Sequence, residues 1–364
     1  MKRMNRSNPN PAHLKLANGL IFNGFSFGYD QAVSGEVVFS TAMVGYPESL
    51  TDPAYRGEIL SLTYPIVGNY GIPPSSEIVD GVSSYFNSNK IQAKGLVLLD
   101  YSNQYSHWNG IKSLDEWLEE HKVSAIWGVD SRELAQVLRD EGSIRGAIVP
   151  MGCEEPPLID IEAINYVAQV STQKVLHYGS GSKKVVLVDC GVKDSLIRNL
   201  LQQGIEIIRT PWDFNFNTIE SDAVIIAGGP GSPLHCRETI EHIKSAIESN
   251  PSKPLLGLSL GGVMVAIAAG AIPFKMKRPH RGSNQPVQLH GSSRAYITYQ
   301  NHGWGVDDST IEKGWERYFT NLNDLSCEGV KHLQKPFYAL LFYPEVESAP
   351  TDTQFILENF CNLL

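Results

Sequence analysis

From residue 184 onward the chain takes on a strand-then-helix rhythm, unbroken apolar runs interspersed with helical stripes. VVLVD at 185–189 precedes Leu196, Ile197, Leu200 and Leu201 on one helical face, closed by Gly204. IEII (205–208), AVIIA (223–227) and LLGL (255–258) continue the runs, and Ile240, Ile243 and Ile247 are spaced for a helix between the last two. Runs without polar alternation predict strands covered on both faces, and strands alternating with helices predict a parallel sheet. The expectation is an α/β fold whose C-terminal part is a doubly wound, mostly parallel sheet. Such sheets carry their chemistry beyond the carboxyl ends of the strands, so the loops after Ala227, Leu258 and Phe342 are where a site is expected.

The first half lacks this rhythm. It holds short strand-like runs between glycines and prolines, GEVVFST (35–41), EILSLTYP (58–65) and KGLVLLD (94–100). Asp130 and Glu133 have capping-box spacing ahead of a Leu134, Val137, Leu138 stripe that reaches Gly142, which predicts a helix over 131–141. Between 151 and 183, EEPP and GSGSKK mark linker-like composition. The predicted organisation is therefore a mixed β/α domain over 13–150, a linker over 151–183 and the sheet domain over 184–364, with the first dozen residues a loose tail.

A net charge of −9 gives no basic field for nucleic acid or an anionic membrane. No apolar stretch reaches the ~18 residues of a membrane span, and the N-terminus lacks a signal-peptide core. Five cysteines without a C-x-x-C pair read as reduced thiols of a cytoplasmic protein, with no metal site implied.

Four loops carry candidate chemistry. Gly257-Leu258-Ser259-Leu260-Gly261-Gly262 runs from strand to helix through small residues, as a nucleophile elbow requires, although Ser259 also suits a helix cap. Gly228-Gly229-Pro230-Gly231 follows another strand and lets backbone N–H groups approach an anion, or simply makes a tight turn. Gln300-Asn301-His302-Gly303-Trp304 offers amides and an aromatic ring to a small polar substrate. Phe342-Tyr343-Pro344-Glu345 ends a strand with a phenol and a carboxylate, and a tyrosine there is commonly only packing.

Taken in this order, the four loops resemble a class I glutamine amidotransferase domain. GEVVFSTAMVGYPESLTDPAY (35–55), LTYPIVGNYG (62–71), AIWGVDSRELAQVLRDEG (125–142), VDCGVKDSLIRNLL (188–201), KMKRPHRGSNQPV (275–287) and QNHGWGV (300–306) resemble the carbamoyl-phosphate synthetase small subunit in particular. The resemblance implies a ligase subunit that hydrolyses glutamine with a cysteine, histidine and glutamate triad. Its ammonia passes to a large subunit that binds ATP and magnesium, for arginine and pyrimidine biosynthesis. No cofactor is implied for this chain itself.

The match breaks at the triad. Ser259 stands at the nucleophile position, Tyr343 at the base position, and only Glu345, the orienter, is kept. The elbow's histidine and glutamine become Gly262 and Val263, and a pocket serine becomes Ala54. By the same resemblance Gly229, Gly231 and Leu260 keep the glutamine-pocket and oxyanion positions, and Asn301, Gly303 and Trp304 the facing wall. A thiol with pKa near ~8.5 is partly ionised at neutral pH, whereas a serine must hand its proton to a base. A tyrosine with pKa about 10 is itself protonated there and cannot take that proton. The expectation is a pseudo-glutaminase that supports synthesis from free ammonia. The alternatives are weak Ser259-dependent hydrolysis with His302 or water as base, a G-x-S-x-G serine hydrolase, or an amino-acid sensor.

Overall fold

The computed structural model describes residues 9–345 and 350–364. The chain forms two compact units, one of Met1–Ser76 and Asn89–Ile161, the other of Glu77–Ser88 and Glu162–Leu364.

In the first unit β1 (Pro11–Leu16), β2 (Ile21–Gly28), β3 (Val33–Ser40) and β4 (Glu58–Leu62) precede a short hairpin, β5 (Ile78–Val79) and β6 (Val82–Ser83), that belongs to the second unit. β7 (Gly95–Leu98), β8 (Ser124–Trp127) and β9 (Ile144–Pro150) then complete a closed barrel in the order β1-β2-β8-β7-β4-β3-β9. β3, β4, β7 and β8 run parallel and the other pairs antiparallel. Helices α1 (Tyr46–Leu50), α2 (Leu114–Glu120) and α3 (Ser131–Glu141) fill the connections. α3 has the bounds expected of it because Asp130 accepts the N–H groups of Arg132 and Glu133, while Leu134 and Leu138 join Leu14, Leu16, Val37, Ile59 and Ile148 in the core. The expected tail is shorter than a dozen residues, since Pro11 and Ala12 already pair in β1; residues 1–8 lie outside the described residues.

The second unit is built on a ten-stranded sheet. Five lie parallel side by side, β12 (Ile205–Pro211), β11 (Lys183–Asp189), β13 (Ala223–Ile226), β14 (Leu255–Leu258) and β19 (Phe337–Leu340). Their alternation sorts the core into two layers. Val186, Val188, Val224 and Ile226 face α6 (Arg237–Ser249) and α7 (Leu260–Ala268), whereas Val185, Leu187, Ala223 and Ile225 face α5 (Asp194–Gln202) and α8 (Gln354–Cys361). Two features go beyond the expected parallel sheet. β10 (Leu176–Tyr178), within the stretch read as linker, pairs antiparallel with β12, and short α4 (Val167–Val170) precedes it. On the far side β18 (Cys327–His332), β17 (Trp315–Asn321), β15 (Ile272–Leu289) and β16 (Ala295–Asp307) extend the sheet antiparallel from β19. No helix among the described residues is long and apolar enough to cross a membrane. All five cysteines are free.

Candidate active site

β14 ends at Leu258 and α7 begins at Leu260, so Ser259 alone makes the turn, at φ 50° and ψ −116°. A residue with a Cβ is strained in this region. Its neighbours hold it: the Ser259 N–H donates to the Leu340 carbonyl at 2.7 Å, and its carbonyl accepts from Val263 at 3.0 Å. The turn fits because Gly257, Gly261 and Gly262 have no side chains. A Cβ on Gly257 would lie 2.5 Å from the Gly261 carbonyl oxygen, one on Gly261 2.2 Å from that of Ile226, and one on Gly262 2.1 Å from that of Leu340. The first turn of α7 therefore lies directly on the backbone that continues β13 and β19. Leu260 and Val263 are buried beside it, in the layer shared with α6.

The loop after β13 is locked in the same way against the loop after β11. A Cβ on Gly229 would sit 1.8 Å from the Cys190 carbonyl oxygen, and Gly191, at φ 137°, lies over the Gly229 Cα. Gly231 has φ 78°, and a Cβ there would make ordinary contact with Tyr166 at 3.7 Å. Asp189 organises the facing loop. Its Oδ1 accepts the N–H groups of Gly191 and Val192, and its Oδ2 takes Arg209 Nε at 2.8 Å and Arg209 Nη2 at 2.6 Å. This ion pair, with Asp189 fully buried and Arg209 15% exposed, fixes the path to Lys193, the residue just before α5.

Lys193 is 2% exposed, and its ammonium lies over the Tyr343 ring, 3.5 Å from the centroid, and 4.6 Å from that of Tyr299. The Tyr343 N–H donates to the Tyr299 carbonyl at 3.1 Å. On the other side the phenolic oxygen packs onto Gly228, where a Cβ would come within 2.2 Å of it. The phenol thus fills the space between Lys193 and the glycine loop, a role for which its size matters as much as its hydroxyl. Glu345 follows, 3% exposed, with its backbone carbonyl accepting from Asn199 Nδ2 at 3.3 Å. Ser259 is 1% exposed, and its Oγ has no hydrogen-bond partner among the described residues.

β16 carries Gln300–Trp304. Asn301 is buried with Nδ2 unpartnered among the described residues, a Cβ on Gly303 would make ordinary contact with Arg281 and Pro279 at 3.9 Å, and Trp304 packs into the α6–α7 layer. His302 does not stand by as a spare base. Its Nδ1 lies 2.9 Å from the Trp304 carbonyl oxygen and its Nε2 lies 3.2 Å from Glu328 Oε2, so both ring nitrogens are placed against acceptors. Glu328 is also reached by His280 Nδ1 at 2.6 Å, and His280 Nε2 by Asp324 at 3.0 Å. Burial alone would lower the His280 pKa, but these two carboxylates raise it to about 9. Burial would raise that of Glu328, and the two histidines hold it down at about 2. Ala54 belongs to the first unit, in a short turn where its N–H donates to Asp52 at 2.9 Å.

Of the residues singled out from sequence, the second unit gathers Ser259, Leu260, Gly229, Gly231, Tyr343 and Glu345 at the carboxyl ends of three adjacent parallel strands. Lys193, Asp189 and Glu328 were not singled out. Asp189 had a readable signal, a charge closing an apolar run; Lys193 and Glu328 look like ordinary surface charges.

Two family descriptions match the chain, the carbamoyl-phosphate synthase small chain, CPSase domain, over residues 14–148, and glutamine amidotransferase class-I over residues 186–363. Human mitochondrial carbamoyl-phosphate synthase [ammonia] is 44% identical over 97% of this chain. The alignment covers 24% of that protein, so the chain spans about a quarter of its length. The carbamoyl phosphate synthase arginine-specific small chain of Saccharomyces cerevisiae is 41% identical over 95% of this chain and 86% of its own. Among solved structures, a glutamine amidotransferase from Thermotoga maritima aligns with 46% of this chain and 78% of its own at 16% identity and TM-score 0.38. The chain belongs to the carbamoyl-phosphate synthase small-chain family, and its second unit is a class I glutamine amidotransferase domain.

Proposed function

We propose that this chain is a small subunit of carbamoyl-phosphate synthetase whose own glutaminase is silent, and that it supports carbamoyl-phosphate synthesis from free ammonia on a large subunit. One observation carries the reading: the Ser259 hydroxyl is buried and hydrogen-bonded to nothing among the described residues. Acyl transfer needs a base within reach to take the serine proton. At the base position Tyr343 offers a phenol packed between Lys193 and Gly228, and the His302 nitrogens are placed against the Trp304 carbonyl and Glu328. Loss of the triad as a unit removes several powers of ten in rate. The human relative's name, with "[ammonia]", agrees with this substrate choice. ATP and magnesium are assigned to the large subunit, and glutamine is not a productive substrate here.

The test pairs the full chain with a carbamoyl-phosphate synthetase large subunit and follows glutamate release together with carbamoyl-phosphate formation. Ammonia-fed synthesis with no glutamate release is expected. Glutamate release that Ser259→Ala abolishes would overturn the proposal and identify Ser259 as a working nucleophile.

A further inference from the structure

His280 on β15 and His302 on β16 are directly opposite in the antiparallel register, and Glu328 on β18 lies beneath them. Irregularities between Lys275 and His280 and between Gly282 and Gln285 interrupt the pairing on either side of this point. One ligand atom from each of the three residues falls within 4.8 Å of the others, and all three residues are buried. No metal site is legible in the sequence, since the chain has no C-x-x-C pair and these donors are 22 and 26 positions apart.

We propose that His280 Nδ1, His302 Nε2 and the Glu328 carboxylate form a zinc site that ties the β15–β16 hairpin to β18. Two imidazoles and a carboxylate are a donor set suited to zinc, with a fourth position left to water. The surroundings carry the argument further. Metal-bound histidines hand their second ring nitrogen to a carboxylate or a backbone carbonyl, which sets the ring orientation. Both arrangements are present: His280 Nε2 meets Asp324 Oδ2 at 3.0 Å, and His302 Nδ1 meets the Trp304 carbonyl at 2.9 Å. Asn321 Nδ2 also donates to Glu328 Oε1 at 3.1 Å. Charge balances as well. One divalent cation beside two neutral imidazoles would offset the fully buried Glu328 carboxylate and the partly exposed Asp324. Bonds of ~2.0–2.1 Å to a tetrahedral ion set their ligand atoms ~3.3 Å apart, so the 3.2 Å His302–Glu328 contact already suits it and the 2.6 Å His280–Glu328 contact has to open by ~0.7 Å.

The test uses the full untagged chain, stripped with EDTA and then given zinc chloride alone. About one zinc should stay with each chain through gel filtration, and the unfolding temperature should rise with added zinc. Glu328→Gln removes a ligand and should abolish retention. Asp324→Asn, at a partly exposed position, should leave the fold intact and weaken zinc affinity by ~10-fold through His280 alone. Cobalt substitution should give the intense visible bands of a tetrahedral nitrogen–oxygen site. A wild-type chain that retains no zinc, or zinc retained equally by both variants, would overturn the proposal. Should Glu328→Gln fail to fold, the cobalt spectrum of the wild type decides, and only the weak bands of an aquo ion would refute the site.

Discussion

Gly262→Ala is a substitution whose sign the structure decides. In a helix interior the change gains ~1 kcal/mol from propensity, so on local grounds it stabilises. Here the new Cβ would lie 2.1 Å from the Leu340 carbonyl oxygen, with the carbonyl carbon and amide nitrogen at 2.7 Å and 3.0 Å. These are backbone atoms of the parallel sheet, with no rotamer to turn away. α7 must therefore shift by roughly 1 Å, and overpacking of this kind costs about 1–3 kcal/mol, here towards the upper end. The shift also stretches the 2.7 Å bond from Ser259 N–H to the same carbonyl, worth about 1 kcal/mol. The balance is a loss of about 3 kcal/mol, or a drop of ~6–12 °C in unfolding temperature for a unit of this size. Urea and thermal unfolding followed by circular dichroism measure it. Unchanged or increased stability would mean that α7 does not rest on the β19 backbone as described. The result bears on function too, because a histidine at this position carries the same Cβ. Ser259→Cys with Tyr343→His leaves α7 in place, whereas adding Gly262→His does not.

Two further outcomes concern charges around the same loops. Burial is the main cause that raises the Asp194 carboxyl to about 6, against a bond from the Ser83 N–H. A raised carboxyl means the fold disfavours its charge, so this group's contribution falls as pH climbs from about 4 to 6 and stays low above that. Asp194→Asn should therefore stabilise at pH 7 by ~1–3 kcal/mol and not at pH 4, read as unfolding midpoints at both pH values; a pH-independent effect would contradict the burial argument. Asp189→Asn leaves Arg209 buried without its counter-charge, and a loss of about 3–5 kcal/mol is expected in urea unfolding. A loss under ~1 kcal/mol would show that the pair does not anchor the loop.

The parallel half of the second unit was legible because each of its strands is covered on both faces and so is written as an unbroken run, and because helices between parallel strands follow at short range. The antiparallel half was not. β15 runs through KMKRPHRGSNQPV, where two irregularities break the alternation and several side chains stay half-exposed, so neither period survives in the sequence. The barrel closes by pairing β1 with β9, more than a hundred residues away, and no local pattern announces that contact. β10 is three residues long and half-exposed, hence its appearance as linker. At the site, the glycines announced the turns, but not what presses on them. Lys193 reads as a solvent charge until the Tyr343 and Tyr299 rings supply the aromatic face on which it is buried.

Closure of the seven-stranded barrel has a bearing on assembly and misassembly. A closed sheet has no outer strand, so every barrel strand spends its ladder on two neighbours and offers no template to another chain. The open sheet of the second unit ends in β10 and β16. Recruitment of a foreign strand, whether by a natural associate or by an aggregating copy, is thereby directed to those two borders, and β16, with 13 residues against three, is the longer invitation.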